Sequence, residues 1–253
     1  MKVITLLNQK GGTGKTTTCL NLGAALSFCG LKCLLVEMDP QSSLSISCGF
    51  NALTDDDITT YEVLTGADIN DAVKTKQAKK SYDVLPTDIR LSAGEIELVE
   101  TKRRNFLLRD ALQRLKKKYD VVLIDSPPTL NIFSMMTLTA ADEVIIPVQA
   151  QYLALTGVAQ IRDTLKIVKE RFNNKLEIGG VLVTYYDNRR NLDREVADAL
   201  AEAFPGKVFK TKISNNTKVA EAPSYGQDIL EYSPSSKGAE QYKALAKEVR
   251  KRL

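Results

Sequence analysis

Eight consecutive residues, Lys10-Gly11-Gly12-Thr13-Gly14-Lys15-Thr16-Thr17, hold the densest chemistry in the chain. Their glycines permit backbone dihedrals that side chains disfavour, so successive amides can turn toward one anion. The loop follows an apolar run at 3–8 and opens a periodic apolar segment at 16–28. It therefore stands between a strand and the positive end of a helix, the setting in which phosphate is held. In that setting Lys15 is expected to neutralise β- and γ-phosphates and the Thr16 hydroxyl to ligate Mg²⁺. The ordinary loop of this kind begins with glycine where this chain has Gln9, and here an additional lysine, Lys10, precedes two glycines.

Cleaving a phosphate needs more: carboxylates near the metal ion and a group that orients water. Two aspartates stand where such groups are expected. Asp39 follows the run 33–37 and is succeeded by Pro40-Gln41; Asp125 follows 121–124 and is succeeded by Ser126-Pro127-Pro128. Ligands collect at the carboxyl ends of parallel strands, which is where both would lie.

The elements that must position these groups alternate. Short apolar runs at 3–8, 32–37, 82–85, 121–124, 143–148 and 180–184 have the character of strands buried on both faces. Between them, 16–28, 105–117, 159–172, 192–204 and 238–253 repeat apolar residues at helical spacing, and Gly30 suits the stop of the first helix. The pattern predicts an α/β chain: a single domain over 1–253 with a mostly parallel twisted sheet covered by helices on both faces. The polar, acidic stretch 51–60 is expected to be a surface insertion.

Composition bounds the rest. Net charge is +4, which permits nucleic-acid binding without requiring it. No apolar run approaches the about 18 residues that span a bilayer, and the short N-terminal run enters the glycine loop directly, unlike a signal peptide. A cytoplasmic protein is expected. There is no histidine, and Cys19, Cys29, Cys33 and Cys48 form no CxxC pair, which excludes a Cys/His zinc site and leaves reduced, buried thiols as the expectation.

The octad KGGTGKTT resembles the deviant Walker A signature. Further stretches (Pro147-Val148-Gln149, Leu155-Thr156-Gly157, Val183-Thr184-Tyr185-Tyr186-Asp187, Glu221-Ala222-Pro223-Ser224-Tyr225-Gly226, Lys237-Gly238-Ala239) resemble the ParA/Soj partition ATPases in order and spacing, over nearly the whole chain. The resemblance implies an ATPase using ATP and Mg²⁺. It implies a nucleotide-sandwich homodimer in which Lys10 reaches the partner subunit's nucleotide, with Asp39 positioning water and Asp125 meeting Mg²⁺ through a water. It places Asn215 at the adenine and implies binding of non-specific DNA, with Arg189 and Lys218 at family positions and Arg190 an extra cation beside Arg189. It also implies release by a ParB-like stimulating protein and association with the nucleoid in the ATP state. No helix-turn-helix precedes the loop, as in the short branch of the family. This chain has Glu37 where the family commonly has aspartate, and Ser214 where it usually has proline. The alternatives are a MinD-like membrane-cycling ATPase, for which the last helix has only a modest apolar stripe, and a ParA-like ATPase that positions a protein cargo.

Overall fold

The computed structural model describes residues 1–151 and 154–253, the side chains of 154–157 and 159 excepted. Its strands are β1 (Lys2–Leu6), β2 (Cys33–Glu37), β3 (Lys74–Lys76), β4 (Tyr82–Leu85), β5 (Val121–Asp125), β6 (Glu143–Gln149) and β7 (Glu177–Thr184). They form one sheet in the order β3-β4-β2-β5-β1-β6-β7. Every pairing is parallel except that of β3, which runs antiparallel to β4 at one edge.

The helices are α1 (Lys15–Phe28), α2 (Ser43–Ser47), α3 (Thr60–Thr65), α4 (Ile69–Ala72), α5 (Leu91–Glu97), α6 (Leu107–Gln113), α7 (Ile132–Ala140), α8 (Ala154–Arg171), α9 (Asn191–Ala203), α10 (Thr217–Glu221), α11 (Ile229–Tyr232) and α12 (Lys237–Arg250). Successive strand residues point to opposite faces, so each strand feeds two cores. On one face Ile4, Leu6, Leu35 and Leu123 pack with Leu22 and Leu26 of α1 and Tyr242 and Leu245 of α12. On the other, Val3, Val36, Val122 and Ile124 pack with Leu108 of α6, Phe133 of α7 and Ile161 of α8. Fully burying each such aliphatic side chain contributes roughly 1.5–3 kcal/mol.

The expected apolar strands are all present, with ends displaced by at most three residues, at the start of β7. Gly30 has φ +90 and closes the turn after α1, as its position required. Two of the expected segments differ in kind, and short elements such as β3 and α2, as well as α7, are additions to the expected set. The helix expected over 105–117 is a 3₁₀ turn at Arg104–Phe106 followed by α6. It stops early because the backbone turns so that Lys116 N–H donates to Asn70 Oδ1 (2.8 Å) in α4. The stretch 51–60 is mostly surface loop, but its end is core: Thr59 and Thr60 are fully buried. Thr59 and Glu62 form a capping box on α3, while the Thr60 hydroxyl contacts the carbonyls of Glu37 and Pro86. Cys19, Cys33 and Cys48 are buried and Cys29 half-buried, all as free thiols. Among the described residues, no helix is long and apolar enough to cross a membrane.

Candidate nucleotide site and cationic cleft

Parallel register delivers the first components of the site. β1 and β2 flank β5, with Leu6 and Glu37 both level with Asp125. The loops leaving β1, β2 and β5 therefore emerge side by side at the carboxyl edge of the sheet.

The loop after β1 is a backbone cradle. Gly12 and Gly14 have φ +75 and +85, and Gly14 stands at the N-terminus of α1 with no side chain capping it. Added Cβ atoms at Gly11 and Gly12 would meet nothing within 4 Å, so the loop here borders open space rather than protein. The loop is pinned on both sides. Lys10 N–H donates to Asn8 Oδ1 (3.0 Å), Asn8 Nδ2 donates to Pro147 O (2.7 Å), and the Thr184 hydroxyl donates to Thr13 O (2.9 Å). Such tethers hold the cradle ready before a ligand arrives.

Lys15 begins α1 and is 7% exposed; its ammonium donates only to Lys10 O, at 3.4 Å. Burial lowers its pKa, and the charges of Asp125 and Asp39 oppose that drop. Asp125 is fully buried, and neither carboxylate oxygen has a hydrogen-bond partner among the described residues. Burial pushes its pKa up to about 7; the Thr16 hydroxyl and the Lys15 ammonium pull the other way, the hydroxyl lying near but outside full hydrogen-bond geometry. A buried carboxylate with two unsatisfied acceptors is costly unless a cationic or donor group completes it. The glycine loop, the buried ammonium, the Thr16 hydroxyl and this carboxylate thus fit a magnesium-bound nucleotide.

Asp39 is half-buried and accepts from Gln41 N–H (3.0 Å) with Oδ1. Lys10 differs from Lys15: it is exposed, and its ammonium reaches sideways to Gln151 Oε1 (2.5 Å). Glu37, left without a role by the sequence, is fully buried and tied to α2. Leu44 N–H, Ser45 N–H and the Ser45 hydroxyl donate to its carboxylate at 2.7, 2.8 and 2.5 Å. Burial and Asp125 still push its pKa up to about 8.

Beside the cradle lies a cavity of about 180 Å³ lined by Gly14, Thr17, Asn215, Val219, Pro223 and Tyr242, among others. Asn215, expected at the adenine, lines the same cavity as the start of α1. The Ser214 hydroxyl and N–H both donate to Gln241 Oε1 of α12 at 3.1 Å, which fixes the segment where the family usually has proline. Tyr185 was not singled out by its side chain, yet it lines this cavity with φ +53. A bulky residue in left-handed backbone is uncommon and marks functional loops; in the sequence it stands within Val183-Thr184-Tyr185-Tyr186-Asp187, one of the stretches that resemble the family.

A larger polar cleft of about 870 Å³ adjoins it, lined by Arg189, Arg190, Lys210, Lys212 and Lys237. Tyr185, Ser214, Asn215 and Asn216 line both spaces, so the two share a wall. Arg189 is exposed and pairs with Asp187 (2.7 Å), which holds that carboxyl well below its usual range. Lys218 does not join the cleft. It lies on α10, paired with Glu221 (2.8 Å), three residues on. Arg252, just past the end of α12, is spent on the fold: it donates to Gly179 O (2.6 Å) and covers the Phe209 ring. The Leu155-Thr156-Gly157 side chains lie outside the described residues.

Known proteins with these features are similar throughout. A family model described as "AAA domain" matches residues 1–178. The sporulation initiation inhibitor protein Soj of Bacillus subtilis is 43% identical over 249 residues, covering 98% of each chain. The chromosome partitioning protein ParA of Caulobacter vibrioides is 42% identical over 253 residues, covering 98% of this chain and 94% of the relative. Among solved structures, cobyrinic acid a,c-diamide synthase of Mycobacterium smegmatis with bound ATP analog and magnesium superposes with a TM-score of 0.87 at 32% identity, covering 99% of this chain and 94% of the other.

Proposed function

The chain belongs to the ParA/Soj family of partition ATPases, and from that premise we propose that it is an ATP-dependent dimerising switch. In the ATP state it holds non-specific DNA. Hydrolysis, stimulated by a ParB-like partner, releases it and so drives DNA segregation. The observation that carries the reading is the fully buried Asp125 carboxylate, without a hydrogen-bond partner among the described residues, beside the nearly buried Lys15 of the glycine cradle.

The cradle from Lys10 to Thr17 binds the phosphates, Lys15 neutralises the terminal ones, and Asn215 contacts the adenine in the smaller cavity. Thr16 and Asp125 would hold Mg²⁺, the aspartate through a water, and the ion would supply charge neutralisation at the phosphates. Asp39, half-buried at the end of the next strand, orients the attacking water. Lys10 is spent on no buried contact of its own chain, and in the homodimer it reaches the partner's nucleotide. Turnover is slow because one subunit lacks that lysine until the dimer forms.

Arg189 and Arg190 present cations at the cleft mouth, and Lys218 adds a third nearby in sequence to the base cavity. Phosphodiester contacts of this kind carry no sequence information and release counterions. The protein acts in the cytoplasm and on the nucleoid when ATP is bound, without membrane insertion.

The deciding measurement is binding to a non-specific duplex with ATP, ADP or no nucleotide, at two salt concentrations, for wild type and Arg189→Glu. Salt-sensitive binding confined to ATP and weakened in the variant is expected. Absence of binding in every nucleotide state would remove DNA from the function and leave the ATPase.

A further inference from the structure

The base cavity and the Asp39 loop belong to different parts of the chain, yet their backbones touch. α2 continues the Asp39 loop: Ser42 N–H donates to Asp39 O (3.0 Å), Glu37 holds the Leu44 and Ser45 amides, and Gly49 N–H donates to Ile46 O (2.9 Å) to close the helix. From Asp39 to Gly49 this is one hydrogen-bonded piece. The other piece begins at Pro223 in the cavity wall; Gly226 N–H donates to Pro223 O (3.0 Å), and Ile229 N–H donates to Asn21 Oδ1 (2.7 Å) of α1.

The pieces meet at two glycines in left-handed backbone, Gly49 (φ +86) and Gly226 (φ +63). A Cβ on Gly226 would stand 2.8 Å from Gly49 Cα, so no side chain fits between them. Lys76, from the edge strand β3, seals the joint: its ammonium donates to Gly226 O at 2.7 Å and lies 3.7 Å from where a Gly49 Cβ would be. Edge-strand lysines ordinarily point to water; this one is half-buried and spent on a carbonyl.

We infer that the Gly49–Gly226 joint, clamped by Lys76, makes Lys76 a positioning residue that relays occupancy of the base cavity to the water-orienting loop of Asp39. A base that seats fully against Pro223 sets the joint, and the joint sets α2 and Asp39. Nucleobase identity is therefore expressed in the turnover rate as well as in affinity. The inference rests on the proposed role of Asp39.

The experiment compares ATP and GTP turnover and affinity, the latter with fluorescent analogues, for wild type, Lys76→Met, Lys76→Arg, Gly226→Ala and Asp39→Ala, with thermal midpoints for each. Lys76→Met keeps the aliphatic stem and loses the clamp. It is expected to lower kcat for ATP about three- to tenfold, with Kd unchanged, and to shrink the ATP-over-GTP ratio in kcat. Lys76→Arg should restore both, and Gly226→Ala should reproduce the loss. If Gly226→Ala does not fold, Lys76→Met decides. Wild-type kcat and base ratio in Lys76→Met, or a kcat loss matched by an equal loss of affinity, would overturn the inference. Normal turnover in Asp39→Ala would overturn it through its premise, and is told apart because Lys76→Met then says nothing of water positioning.

Discussion

The phosphate cradle and the cationic cleft share a wall but are built in opposite ways. In the cradle, the charges of Lys15 and Asp125 are buried and held apart from partners: among the described residues Lys15 makes one long hydrogen bond and Asp125 none. In and beside the cleft, charge is solvent-accessible, and two of the candidate DNA cations are already paired, Arg189 to Asp187 and Lys218 to Glu221. A buried, unsatisfied group has its affinity prepared by the fold, because the desolvation was met on folding. An exposed, paired cation must first give up its partner, and its gain is modest and screened by salt. The nucleotide site should therefore respond to single substitutions sharply, and the DNA face gradually.

The largest expected effect is at Lys15. Lys15→Ala removes the buried cation of the cradle and should weaken ATP binding by about a hundredfold or more, as loss of charge-assisted hydrogen bonds to phosphate does. ATP affinity within a few-fold of wild type would erase the contrast. Next is Asp39→Ala, which should leave ATP binding and dimer formation intact while turnover falls by about two orders of magnitude, comparable to loss of an oriented catalytic group. Sizing chromatography with ATP and single-turnover kinetics separate the two. Arg189→Glu should lower duplex affinity roughly tenfold and reduce the salt slope by about 1, with ATP affinity unchanged. Lys218→Ala, which removes a cation already satisfied by Glu221, should cost only about two- to threefold in the same assay. An effect larger than that of Arg189→Glu would reverse the ranking of the two cations.

The smallest effect concerns pH. Glu37 has a folded pKa raised to about 8, so between its ordinary value and 8 the folded state binds more protons than the unfolded one. Stability then falls as pH rises through that window. Asp125, raised to about 7, adds to the same slope. Urea denaturation at pH 5 and pH 8 should show wild type losing more stability than Glu37→Gln. Equal losses would mean Glu37 is charged throughout.

The same contrast sets what was legible in the sequence. Strands such as 82–85 and 121–124 are visible because burial on both faces demands unbroken apolar runs, and the cradle is visible because only glycines permit its backbone. Lys74-Thr75-Lys76 gave no sign of β3: it is three polar residues whose strand geometry comes from pairing with β4. The five residues of α2 have no periodicity to detect, and its Leu44 and Ser45 amides are satisfied by Glu37, from the preceding strand. For the same reason the role of Glu37 could not be read locally. Asp39 and Asp125 were found by their place after strands, whereas the surface cations had no physical signature, and their separation into cleft-lining Arg189 and outlying Lys218 depended on tertiary placement.

The thiols have a practical corollary. Three of the four cysteines are sealed in the layer between the sheet and α1, where burial pushes Cys33 up to about 12 and raises Cys19 and Cys48 as well. Alkylating reagents attack the thiolate, so the native molecule should acquire no more than one adduct, at Cys29, and any opening of the nucleotide-binding half should be recorded as further mass increments. The chain carries its own clock for that motion, readable by mass spectrometry without an added label.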